Sequence, residues 1–322
     1  MGEKEASSRT TPWLVFPYGK GKKKQALYNI CEPNNTNCIK IIPELSRKAF
    51  WQKPCHKGWL VILCDDNGKD GDDDVDVNQS SNIPNWNYGD YISFTSLPTA
   101  PDCIVFGIDG RGFGITIYSI RRGEQEWEVV SFEDSHVEKY SPLRNTLTLF
   151  DGVFYSVGYD GTLNKLNLSD DTFEYLKKPL ELFNDSFPSF LVKCGEDLLL
   201  VKLCPKMLVR IFRMDFSEME WVKVESLRKH VLFISDITCF SAIAPNSRME
   251  NKVYFPRLYL EGEGILCYSL ETGSYHSFGG TSQHSATNNI YGTKGWLSNC
   301  TWIQPNWSKS TAQELDWLNS LT

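Results

Sequence analysis

Residues 145–176 read NTLTLFDGVFYSVGYDGTLNKLNLSDDTFEYL. Two short β-like runs, NTLTLF and VFYSVG, flank Asp151-Gly152, a pair suited to a tight hairpin because glycine accepts positive φ without a Cβ clash. A second pair, Asp160-Gly161, leads into TLNKLNL, and SDDT separates that run from TFEYL. Within each run the apolar residues alternate with the strand period of two. The stretch therefore predicts four antiparallel strands joined by three tight turns, in 32 residues.

The second half of this unit recurs along the chain. ALYNIC-EPNNTN-CIKIIP (26–43), TIYSI-RRGEQE-WEVVSF (116–132), LNKLNL-SDDT-FEYL (163–176), VRIFRM-DFSEME-WVKV (209–224) and ILCYSL-ETGS-YHSF (265–278) are each a run, a polar turn and a second run. The second runs open on Cys38, Trp127, Phe173, Trp221 and Tyr275, separated by 89, 46, 48 and 54 residues. The first gap is about double the others, which predicts a degenerate copy near residues 75–97. A period in the forties to fifties with several short strands per unit is that of a β-propeller blade. Helical solenoids of similar period would show a 3.6-residue pattern, and none is present.

The expected fold is all-β: a single β-propeller of six four-stranded blades over residues 12–305, seven being the alternative count. The first blade reads as three strands from the N-terminal side. CTWIQP (300–305) has no other partner, so pairing of the N- and C-terminal strands is expected to close the ring and remove an exposed edge. Residues 1–11 read as a flexible N-terminus, and 306–322 as a tail. Thr311-Ala312-Gln313-Glu314 has the form of a capping box. Ala312, Leu315, Leu318 and Leu321 beside Trp317 predict a short amphipathic helix that either packs on the propeller or docks into a partner's groove.

Composition narrows the function. The chain of 322 residues has a formal net charge of −7, which argues against a general nucleic-acid surface. No apolar run approaches the ~20 residues of a spanning helix. The N-terminus lacks a secretory signal. The ten cysteines show no CxxC pair, and most lie in strand-like runs as small buried hydrophobes, so a reduced cytoplasmic or nuclear protein is expected.

No pattern points to an enzyme. The five histidines are scattered, no G-x-S-x-G elbow is present, and no ligand spacing for a metal is found. Gly110-Arg111-Gly112-Phe113-Gly114 places its third glycine one position early for a dinucleotide loop and runs into a strand, so it reads as a hairpin. Lys20, Lys22, Lys23 and Lys24 read as a solvated turn, with nuclear import or an anion contact as the sharper alternative. No catalytic residue, metal ligand or cofactor is assigned. A propeller enzyme or small-ligand binder using the central channel is the alternative function, since a ring can bring distant loops together.

The strongest local anomaly is Asp65–Asp76, an acidic insertion spanning about 65–77. Counted from Asp66, an EF-hand loop would put Gly68 at position 3 and Val77 at position 12. Counted from Asp65, Lys69 takes position 5 and Asp70 the glycine position. Neither register binds calcium. The simpler reading is a solvated loop; the sharper one makes Asp70, Asp72, Asp73 and Asp74 a docking site for a basic partner, with Trp317 as a second candidate contact.

PWLVF (12–16), KGWLVIL (57–63), SLPTAPDCIVFGI (96–108), WEVV (127–130), LTLFDGVFYSVGYDGTL (147–163) and TWIQP (301–305) together resemble the plant KIB-type β-propeller family over nearly the whole chain. The resemblance implies a plant intracellular protein related to the kelch-like C-terminal domains of F-box proteins. There an F-box docks on a Skp1-type adaptor of a ubiquitin ligase and the propeller receives a client protein. Only twelve residues precede Trp13, too few for an F-box. The expectation is therefore a monomeric, non-enzymatic interaction scaffold, possessing a client but without adaptor binding of its own.

Overall fold

A computed structural model describes residues 12–18, 24–30, 39–42, 50–53, 61–64, 91–97, 99–109, 114–133, 147–158, 162–176, 189–204, 208–235, 238–258, 265–278 and 301–304. These contain strands and turns and no α-helix.

The strands fall into six sheets, numbered here in chain order. Sheet I holds β1 (Trp13–Tyr18), β2 (Lys24–Asn29) and β3 (Ile39–Ile42). Sheet II is the hairpin of β4 (Phe50–Lys53) and β5 (Val61–Cys64). Sheet III holds β6 (Tyr91–Phe94), β7 (Ile104–Asp109), β8 (Gly114–Arg121) and β9 (Glu128–Glu133). Sheet IV holds β10 (Thr148–Phe150), β11 (Val153–Val157), β12 (Leu163–Asn167) and β13 (Thr172–Leu176). Sheet V holds β14 (Ser189–Cys194), β15 (Asp197–Cys204), β16 (Leu208–Asp215) and β17 (Glu220–Val224). Sheet VI holds β18 (His230–Ile234), β19 (Cys239–Ile243), β20 (Lys252–Leu258), β21 (Ile265–Ser269) and β22 (Ser274–Phe278). The last strand, β23 (Thr301–Ile303), returns to sheet I and pairs antiparallel with β1, Leu14 opposite Trp302.

All five sequence hairpins are present as antiparallel pairs. In sheet IV, Asp151 (φ 49°) and Gly152 (φ 78°) are both left-handed, the geometry of a type I′ turn. Gly114 opens strand β8, antiparallel to β7, so the glycine-rich segment joins two strands and precedes no helix.

Two expectations need correction. Residues 91–94, taken as part of a degenerate copy, are β6, the first strand of sheet III; residues 75–90 lie outside the described residues. Sheet VI has five strands, not four, in the order β19-β18-β20-β21-β22, and β18 runs parallel to β20. Val231–Ile234 of β18 are all buried, as a strand inside the sheet requires. Val231 and Phe233 face one cluster and Leu232 and Ile234 the other, so the strand is sealed on both sides and sits inside the sheet.

Apolar clusters fill the seams between sheets. Phe106, Ile115 and Ile117 of sheet III meet Phe154, Leu166 and Leu168 of sheet IV. Tyr155 and Leu163 of sheet IV meet Leu198, Leu200 and Trp221 of sheet V. Leu199, Val201 and Leu203 of sheet V meet Leu232, Val253 and Tyr268 of sheet VI. Val231, Phe233 and Tyr254 of sheet VI meet Leu14, Ile30 and Trp302 of sheet I. Strand β15 serves two seams because successive side chains point to opposite faces. The recurring aromatic now has a cause. Phe173, Trp221 and Tyr275 each pack into the seam with the preceding sheet.

Hydroxyls at the first-position strands stitch neighbouring sheets. Tyr91 Oη donates to Leu147 O (3.2 Å), Thr148 Oγ1 to Leu191 O (2.8 Å) and Ser241 Oγ to Lys193 O (2.8 Å). Between sheets VI and I, Thr238 Oγ1 donates to Trp302 O (2.9 Å) and accepts from Trp302 N (3.0 Å). The Trp302 indole donates to Ile234 O (3.1 Å) and meets Phe233 edge-on at 5.1 Å. These bonds satisfy backbone groups on the outward edge of β23.

Candidate functional site

The β12–β13, β16–β17 and β21–β22 turns follow one local rule. Asp215 Oδ1 accepts from Ser217 N (3.0 Å), Ser217 Oγ (2.6 Å) and Glu218 N (3.3 Å). Asn167 Oδ1 accepts from Ser169 N (3.1 Å), and Asp170 Oδ1 from Thr172 Oγ1 (2.7 Å) and Thr172 N (3.3 Å). Four residues after Asn167, Asp215 and Ser269 come Asp171 (φ 52°), Met219 (φ 55°) and Gly273 (φ 63°), all left-handed. Short polar side chains that bond their own backbone favour such turns over continued strand. The Ser217 and Thr172 hydroxyls hold the Asp215 and Asp170 carboxyls below the usual carboxylate range.

In an antiparallel run of four strands the first and third turns fall at the same end. At that end, between sheets IV and V, an aromatic group comes together from three stretches. Phe150 closes β10, Tyr155 lies on β11 and Phe216 lies in the β16–β17 turn. Phe150 and Phe216 stack at 5.7 Å and 13°, and Tyr155 is 5.7 Å from Phe216 and 6.3 Å from Phe150. Tyr155 is buried, which pushes its phenol up despite Lys165; Asp151 and Glu174 push the same way. Phe216 is 37% exposed. Lys193 Nζ lies 5.6 Å from the Phe150 ring centroid. The stacked pair shows that the first turn of sheet IV and the third turn of sheet V share one face.

None of these aromatics was identified as a site residue from sequence. They are dispersed over sixty-seven positions (150–216), and only Phe216, an aromatic inside a polar turn, carried a readable signal. The sequence-derived candidates Asp70, Asp72, Asp73, Asp74 and Trp317, the Asp65–Asp76 insertion, and Lys20, Lys22 and Lys23 lie outside the described residues.

Among the described residues no group of three or more His, Cys, Asp or Glu is arranged to hold a metal. His276 Nε2 lies 3.2 Å from Ser274 Oγ and 3.3 Å from Thr272 Oγ1 on the exposed outer hairpin of sheet VI. His230 Nδ1 lies 3.3 Å from Leu227 O. Cys103, Cys194 and Cys267 are buried free thiols, Cys204 is buried and Cys239 is half-buried. Burial pushes Cys267 up to about 11 and raises Cys103 and Cys194. Cys103, Cys194 and Cys267 therefore pack as small hydrophobes and are poor nucleophiles at neutral pH.

Comparison with known proteins matches this arrangement. Residues 6–278 fit the model of the KIB1-4 β-propeller. An F-box/kelch-repeat protein of Arabidopsis thaliana is 24% identical over 278 residues, covering 83% of this chain and 76% of that protein. With all-β sheets packed seam to seam and a family match over most of its length, the chain belongs to the KIB1-4 β-propeller family.

Proposed function

We propose that the protein is a non-enzymatic interaction scaffold: one six-bladed propeller, closed where β23 completes sheet I, whose loops receive a client protein. The family match over residues 6–278 carries this reading. The continuous packing from sheet III through IV, V and VI to sheet I supports a single ring over two separate domains. A ring of short strands is a rigid platform for loops, the usual site of recognition.

The name of the Arabidopsis relative, an F-box/kelch-repeat protein, supports a place in ubiquitin-linked regulation. A cytoplasmic or nuclear, monomeric protein is the matching proposal. Affinity purification of the tagged full chain from plant cells tests the reading. A client protein recovered reproducibly with the full chain is the expected result. Absence of any specific client would overturn the scaffold role.

A further inference from the structure

The aromatic group between sheets IV and V lies in an unusual electrostatic setting. Four turns meet that end of the two sheets: Asp151-Gly152, Leu168–Asp171, Gly195-Glu196 and Phe216–Met219. Asp151, Asp170, Asp171, Glu196 and Glu218 lie in these turns, which hold no Lys or Arg. All but Asp171 are exposed. Asp215, immediately before Phe216, spends its carboxyl on its own turn and remains anionic. Three bases flank the group. Lys193 holds its ammonium 5.6 Å from the Phe150 ring centroid. Lys165, which acts on Tyr155, pairs with Glu174 at 3.2 Å. Arg213, which acts on Asp215, lies 3.9 Å from Asp197. Each therefore already has a partner on its own sheet or the next.

An exposed aromatic ring bordered by carboxylates is the chemistry that receives a cation from a partner. The quadrupole of the ring attracts a guanidinium or ammonium over its face, and adjacent carboxylates supply charge-assisted hydrogen bonds. The protein already uses Phe150 in this way toward its own Lys193. Phe216 stacks on Phe150 with one face and is the most exposed ring of the group. We propose that this seam is the docking point for an Arg- or Lys-rich segment of the client protein, with a cationic side chain laid on Phe216 between Asp151 and Glu218. This rests on the scaffold reading and adds to it the face and the partner's chemistry. It also moves the acidic docking surface from the insertion at 65–77 to a preformed part of the fold.

The test uses the full chain and a short fluorescein-labelled peptide of alternating Arg and Ser, with a Glu–Ser peptide as counterpart, read by fluorescence anisotropy across a salt series. Phe216→Ala retains every charge and is expected to weaken the Arg peptide about two- to fivefold. Phe216→Leu, which keeps the apolar volume, is expected to lose as much, separating ring from bulk. Asp151→Asn with Glu218→Gln is expected to weaken binding and flatten its salt dependence. Glu124→Gln with Glu126→Gln removes the same charge from the exposed β8–β9 turn of sheet III and is expected to change little. Wild-type affinity in Phe216→Ala, or equal losses in the sheet III control, would reduce the effect to diffuse attraction and overturn the proposal. A client captured equally by wild type and Phe216→Ala would leave the scaffold reading standing and this one fallen.

Discussion

Trp302 is the residue on which the meeting of the two chain ends turns. It is fully buried between sheets VI and I, its indole and backbone both bonded across the seam. Trp302→Ala is expected to lose about 3–5 kcal/mol by denaturant unfolding, as large-to-small core changes do. Thr238→Val strips the Trp302 amide and carbonyl of their partner and should cost about 1–3 kcal/mol, with Thr238→Ser restoring most of it. A second buried polar site behaves oppositely. Asn164 Nδ2 donates to Ser156 Oγ at 3.2 Å, while Asn164 Oδ1 is buried with no hydrogen-bond partner among the described residues. Replacing both should be nearly neutral, so Ser156→Ala with Asn164→Leu is expected to be more stable than Ser156→Ala alone. Cys267 adds a pH dependence. Its thiol is raised from 9.0 to about 11, chiefly by burial. The folded state therefore holds the proton more tightly, and this contribution is complete below pH 9 and lost as pH rises from 9 to about 11. Unfolding free energy measured across that window should fall less steeply in Cys267→Ala than in wild type.

At the scale of turns and strands, the left-handed positions give opposite expectations. Asp171 is a non-glycine residue at φ 52°, so Asp171→Gly should stabilise; Gly273 is at φ 63°, so Gly273→Ala should destabilise by about 1–2 kcal/mol although no atom lies closer than 3.7 Å to its would-be Cβ. Thermal melts of the two variants check the signs. The hairpins were legible in the sequence because two independent signals coincide in them, period-two apolar runs and turns rich in Asp, Ser and Gly. The parallel pairing of β18 with β20 was not. HVLFI and CFSAI look like any hairpin, and nothing local to them states that β20 will join on the far side of β18. The aromatic group was hidden for a related reason. Phe150, Tyr155 and Phe216 each have local roles in their own strand or turn, and their meeting is a property of the seam between sheets IV and V. That consecutive sheets neighbour one another follows from the repeat, but which side chains meet at a seam is decided by packing and leaves no fixed spacing in the chain.

For the whole molecule, successive sheets share their cores, so stability should be cooperative from sheet to sheet. A chain ending before Thr301 loses β23 and uncovers Leu14, Phe233 and Tyr254. It is expected to melt lower and bind a hydrophobic dye more strongly than a chain that ends at Ser308 and keeps β23. Equal melting of the two truncated chains would show that β23 contributes nothing to the fold. The pairing of β1 with β23 also has a consequence in time. β1 leaves the ribosome some 283 residues before its partner, which at 5–20 residues per second is about 15–60 s of synthesis. During that interval β1 has the backbone edge that β23 will cover left open and Leu14 uncovered, so the nascent chain is exposed to chaperones, and to mispairing with a neighbouring copy, at that strand.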